Sequence, residues 1–190
     1  MSVVTAKVCV MQADTFWQII EAARGESGGL SDPDEVAEAA AILLASRSME
    51  EIIEYQVFFE QLEDISYRWD LWAAAYLING GCSDDGFDYF RGWLVAQGRT
   101  VWEAALVDPD SLAAAGAEPD EADGESVLSI ALDAYDRRTG NRDAFREALP
   151  SREDRTRPAQ PAGEAFDFDD EVEMHARLPR LSAIYLDDES

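Results

Sequence analysis

The sequence predicts an all-α protein: a compact multi-helix domain with a C-terminal segment docked onto it through a mobile linker. Three observations carry that reading. Helix-start signatures recur along the chain, each followed by apolar residues at a three-to-four spacing. The two-residue alternation of a half-buried strand is suggested only in residues 3–10. Apolar residues fill 47 % of the 190 positions, including five Trp, six Tyr and eight Phe. That is ample for one domain burying roughly 70 % of its extended surface.

Asp14 is placed to cap a helix over 15–24, with Phe16, Ile19, Ile20 and Ala23 on one side. Asp32, Pro33 and Glu35 supply a cap, a proline at the first helical position and a glutamate at the third, which opens a helix over 33–47. Ser48 and Glu51 form a second capping box. Beyond it Tyr55, Phe58, Leu62, Ile65, Trp69, Trp72 and Tyr76 make one apolar stripe, so one helix is expected over 49–78, bent near Trp69 and Asp70. Asn79-Gly80-Gly81 stops it. Ser83 caps a helix through Gln97, with Asp84 and Asp85 in its first turn and Gly98 just past its end. Thr100 and Glu103 form a third box for a short helix to Val107. Asp108-Pro109 starts another, closed by Gly116. Residues 118–124 read as an acidic loop, and 126–138 as a helix ended by Gly140.

Four parts follow from composition. Met11 begins where the first capped helix begins, so residues 1–10 are expected to be an N-terminal extension and 11–150 the all-α domain. Seven of the fifteen basic residues fall in 137–157, and Pro150, Pro158 and Pro161 cluster beside them. Residues 151–163 therefore read as a basic, proline-containing linker. Residues 164–190 are acidic yet carry Phe166, Phe168, Val172, Leu178, Leu181, Ile184 and Tyr185, which suits a docking segment with a helix near 169–178 broken at Pro179.

Forty acidic against fifteen basic side chains give a net charge of -25. Such a surface repels phosphate, so direct nucleic-acid binding is not expected, whereas a basic protein partner is allowed. Charges interrupt every apolar stretch short of a membrane span, and the N-terminus is too weakly apolar for a signal peptide. The two thiols, Cys9 and Cys82, lack metal spacing, and a reducing cytoplasm is the simplest setting. His175 is the one histidine, which rules out a His-rich zinc or haem centre, and no phosphate-binding glycine motif or nucleophile elbow is present. No cofactor is evident, and no oligomeric state is indicated.

Residues 67–94, YRWDLWAAAYLINGGCSDDGFDYFRGWL, concentrate aromatic side chains and charges around a Gly-Gly turn. Glu60, Asp64 and Arg68 recur at i, i+4 and i+8 on one expected helix face, beside Asp70. Cys82, Ser83, Asp84, Asp85, Asp88 and Arg91 follow the turn, and the tight connection makes neighbours of the two helices. One reading is a metal or acid/base site: carboxylates suit hard divalent cations, with Asp84, Asp85 and Asp88 as the candidate ligands, or divide acid and base roles between them. The other is structural. Asp84 and Asp85 are stabilised at a helix N-terminus, and Asp64–Arg68 and Asp88–Arg91 are ion pairs that fix packing. Pairing decides between them: charges unmet in a pocket favour an enzyme, charges paired off favour a module. Cys82 precedes a helix N-terminus that lowers a thiol pKa, although a cysteine in a buried turn is the commoner case. Trp69, Trp72 and Trp93 are candidates for an aromatic docking surface.

Three stretches carry a resemblance: DTFWQIIEAAR at 14–24, YRWDLWAAAYLINGGCSDDGFDYFRGWLVAQG at 67–98 and LPRLSAIYL at 178–186. Together they resemble the bacterial domain-of-unknown-function family numbered 4240, over residues 11–135 and the terminal segment. The resemblance implies no activity, cofactor or catalytic residue. The function expected from the residues is a protein-interaction or regulatory module, adaptor-like or immunity-like, whose acidic surface steers a basic partner. The alternative is a carboxylate-dependent enzyme centred on Glu60, Asp64, Arg68, Asp84, Asp85 and Asp88.

Overall fold

Side chains that satisfy the first free amides set several of the helix starts. The structure is a computed structural model that describes residues 11–25, 30–150 and 158–186. In chain order it contains α1 (Ala13–Arg24), α2 (Pro33–Ala45), α3 (Met49–Ser66), α4 (Trp69–Ile78), α5 (Asp84–Ala96), α6 (Arg99–Val107), 3-10 helices at Pro109–Ala114 and Glu125–Ser129, then α7 (Ile130–Thr139), α8 (Ala144–Ala148), α9 (Glu171–Arg177) and α10 (Pro179–Tyr185). Among the described residues the extended pairing is limited to one isolated bridge, Arg68 to Ala162. The fold is all-α. Residues 1–10, with Cys9 and the expected extension, lie outside the described residues, as do 151–157 of the expected linker.

Asp32 Oδ1 accepts from the Asp34 and Glu35 amides at 2.9 and 3.3 Å. Ser48 and Glu51 close a reciprocal capping box, and Ser83 Oγ accepts from Gly86 N at 3.1 Å. Two other expected caps are replaced. Helix α1 starts at Ala13 behind Gln12, and Asp14 instead pairs with Arg99 at 2.8 Å. Helix α6 starts at Arg99, directly after Gly98 at φ 87°, and Glu103 accepts from Arg99 Nε at 2.6 Å rather than completing a box with Thr100.

The helix expected over 49–78 is two helices. Trp69 N donates to Ala162 O at 3.0 Å, and Ala162 N donates to Tyr67 O at 2.8 Å. The backbone at the break thus finds partners in the C-terminal segment, a contact that apolar spacing does not encode. The end of the expected linker is part of that docked segment: Pro161 is buried and Ala162 is bridged.

Helix α2 packs across α1 and α7, and α5 packs on the second 3-10 helix. Their core contains Phe16, Ile20, Leu44, Ile52, Leu71, Ile78, Phe90 and Leu94. Two glycines let α5 approach the loop before the second 3-10 helix. Gly124 N donates to Tyr89 O at 3.1 Å, and a Cβ on Gly92 would lie 2.4 Å from Gly124 O.

The C-terminal segment docks on its own chain. Met174, Leu178 and Leu181 are buried in the common core, and α10 packs on the first 3-10 helix and α4. Asp110, 3 % exposed, caps α10 from across the molecule. Its carboxylate accepts from Arg180 N at 3.0 and 3.1 Å, from Leu181 N at 2.9 Å and from Arg180 Nε at 2.8 Å. Burial alone would raise its pKa, but the Arg180 guanidinium and the two amides outweigh it and hold the carboxyl below the usual range. Tyr185 closes the far end by donating to Ala117 O at 2.6 Å.

Gly92→Ala is expected to destabilise the fold by about 2 kcal/mol, as overpacking against backbone does, seen as a lower urea midpoint. Because the folded Asp110 pKa lies below its unfolded value of about 3.9, its contribution is complete above that value. It is lost as pH falls through the folded pKa. Asp110→Asn should remove roughly 2 kcal/mol at neutral pH and flatten the wild-type stability loss below about pH 4, measured by urea unfolding across pH 2–6.

Candidate functional site

Helix α5 presents Arg91 to the end of α3. This guanidinium is 1 % exposed and fully engaged. Arg91 Nη1 donates to Glu63 O at 2.6 Å and Nε to Phe87 O at 3.4 Å, while Nη2 pairs with the Asp88 carboxylate. Its Cζ lies 4.9 Å from the Phe87 ring centroid and 5.4 Å from that of Tyr67. Glu63 O is one of the last four carbonyls of α3, at its negative end, and it also accepts from Ser66 Oγ at 3.2 Å. Arg91 therefore caps α3 from α5.

Arg68 lies beyond α3, so its partner is Asp70 and not Asp64. It forks the carboxylate at 3.0 and 2.9 Å, and the Asp70 contact raises the guanidinium pKa further. Asp70 also accepts from Leu71 N at 2.9 Å. Glu60 and Asp64 stay half-buried on α3, and Glu60 accepts from Gln56 Nε2 at 3.2 Å. Asp84 and Asp85 stand exposed in the first turn of α5. The candidate residues thus separate into the Arg91–Asp88 pair, the Arg68–Asp70 fork and the solvated start of α5. Among the described residues no group of three or more His, Cys, Asp or Glu is gathered closely enough to hold a metal ion.

Cys82 is half-buried, and its carbonyl accepts from Trp72 Nε1 at 3.0 Å. Burial pushes its thiol up to about 11, against smaller opposing contributions from Trp72 and the Arg91 charge. The thiol is protonated at neutral pH and is a weak nucleophile. His175 lies exposed on α9, its Nδ1 2.7 Å from Glu171 O.

The aromatic residues divide differently from the sequence expectation. Trp93, 3 % exposed, stacks on Phe90 inside the core. Trp69 and Trp72 are half-buried, stacked at 5.7 Å and 12°, and Trp72 is anchored by a stack on Phe87 at 4.8 Å. The aromatic surface therefore consists of Trp69 and Trp72, joined by Tyr76 through Phe168, which reaches all three from the C-terminal segment. Two contacts are invisible to local reading: Phe168 on the Trp pair, and Asp110 with Arg180. A signal for the first exists in Phe166 and Phe168, two aromatic residues in an otherwise acidic run.

The family described as a protein of unknown function (DUF4240) matches residues 11–137. Neither a curated protein nor a solved structure matches the chain.

Ser83→Ala should cost about 1 kcal/mol through loss of the α5 cap, measured by urea unfolding. In a Cys9→Ser chain, iodoacetamide should alkylate Cys82 slowly at pH 7–8 and faster as pH approaches about 11. Rapid labelling at neutral pH would show an activated thiolate.

Proposed function

The chain belongs to the DUF4240 family, and from that premise we propose that it is a protein-interaction or regulatory module, of adaptor or immunity type, that engages a basic protein partner. One observation carries the reading: the two arginines of the candidate cluster, with Asp88 and Asp70, fasten the fold. Arg91 is committed to Asp88 and the end of α3, and Arg68 to Asp70. The acidic surplus of a chain with net charge -25 includes carboxylates such as Asp84 and Asp85 that face solvent. Such a field accelerates encounter with cationic partners and disfavours nucleic acid. A reducing cytoplasmic setting suits the raised, unactivated Cys82 thiol.

The test sets this reading against the carboxylate-dependent enzyme. Full-length protein, stripped with chelator, is melted against Mg2+, Mn2+, Ca2+ and Zn2+ beside an Asp84→Asn/Asp85→Asn variant. The module reading expects no saturable shift, or one that the variant shares. A stabilisation of wild type approaching about 2.7 kcal/mol at a hundred times the dissociation constant, lost in the variant, would overturn it in favour of a metal site. The module reading also expects a captured partner to be basic and to elute with salt.

A further inference from the structure

We propose that the basic partner docks on the half-exposed face of Trp69, Trp72 and Tyr76, placing an arginine side chain against the Trp pair where Phe168 now sits. This deepens the basic-partner reading above and rests on it. Phe168 is itself half-buried. It meets Trp69 edge-on at 6.1 Å, and Trp72 and Tyr76 at tilted angles at 6.5 and 5.5 Å. These contacts are looser than the 4.8 Å stack that anchors Trp72 on Phe87. The C-terminal segment is held on both sides of the Phe168 side chain, by the Ala162 bridge before it and by the Tyr76–Asp169 hydrogen bond, the buried Met174, Leu178 and Leu181 and the Asp110 cap after it. Phe168 can therefore yield its place without α9 and α10 undocking.

The face is built for a cation. The Tyr76 hydroxyl donates to Asp169 Oδ1 at 2.5 Å, and Asp167 accepts from Asp169 N at 3.0 Å. Both carboxylates act on Tyr76 and raise its hydroxyl pKa, Asp169 chiefly by the hydrogen bond. Electron-rich ring faces beside two carboxylates attract a positive charge from two sources at once. Among the described residues the surrounding aromatic network already takes guanidinium groups: Arg91 over Tyr67 and Phe87, and Arg177 at 4.3 Å over Phe166. A planar guanidinium stacks on such rings better than an ammonium.

The probe is a short glycine-flanked peptide with two arginines, titrated calorimetrically at low salt into the full chain, beside its glutamine analogue. Wild type should bind the arginine peptide alone. Trp69→Leu should weaken binding about tenfold, and Phe168→Ala should tighten it by removing the resident ring. Asp167→Asn/Asp169→Asn should weaken binding more than Asp84→Asn/Asp85→Asn, although both remove two charges. Melting curves confirm that each variant is folded, and Phe168→Ala, which changes a half-buried residue, keeps the test decisive if Trp69→Leu is not. Equal weakening by the two double variants, or indifference to both ring substitutions, would overturn this site while leaving the basic-partner reading intact. If wild type does not prefer arginine to glutamine, the reading fails and this site with it.

Discussion

The buried guanidinium of Arg91 is the constraint on which the centre of this molecule depends. A charge that is 1 % exposed is tolerable only with its donors satisfied. Arg91 meets that demand with Asp88, with the carbonyl of Glu63 at the end of α3, and with the faces of Tyr67 and Phe87. Where α3 ends is thereby linked to where α5 lies. Tyr67 and Arg68 leave the helix at that point, and their extended backbone pairs with Ala162. Helix α4 restarts at Trp69, which sets the Trp pair at the surface with the C-terminal segment beside it.

Charge economy explains much else. With fifteen basic residues against forty acidic ones, arginines serve as fasteners between elements distant in sequence. Arg99 ties α6 to α1 through Asp14, Arg137 ties α7 to α2 through Glu38, and Arg180 ties α10 to Asp108 and Asp110. The exposed pairs contribute about 0–1 kcal/mol each, so they act mainly by position. Asp110 differs because it is buried and also completes the N-terminus of α10. The surplus carboxylates, Asp84 and Asp85 among them, face solvent.

The parts of this fold that depend on near neighbours were legible in the sequence. The caps at Asp32, Ser48 and Ser83 are set by residues two or three positions away, and all three form. The Asp88–Arg91 pair was legible for the same reason. The break after Ser66 is legible only as a bend near Trp69 and Asp70, because its backbone partner lies at Ala162 and the apolar stripe runs on across it. Thr100 and Glu103 have the right spacing for a box, yet Gly98 admits a positive φ and starts the helix two residues earlier, freeing Glu103 for Arg99. A continuous helix would pair Arg68 with Asp64, but the helix breaks and Asp70 is its partner. Asp110 carried no local sign at all, since its amide partners follow 70 and 71 residues later.

The charged residues between α3 and α5 form a structural joint. The most direct test is a double-mutant cycle on Arg91→Met and Asp88→Asn in the full chain, read by urea unfolding at neutral pH. A joint predicts that the two losses are coupled by about 1–3 kcal/mol, because Asp88 matters chiefly through the guanidinium it neutralises. Additive losses, with Asp88→Asn leaving stability unchanged, would contradict it and return Asp88 to the candidates for chemistry.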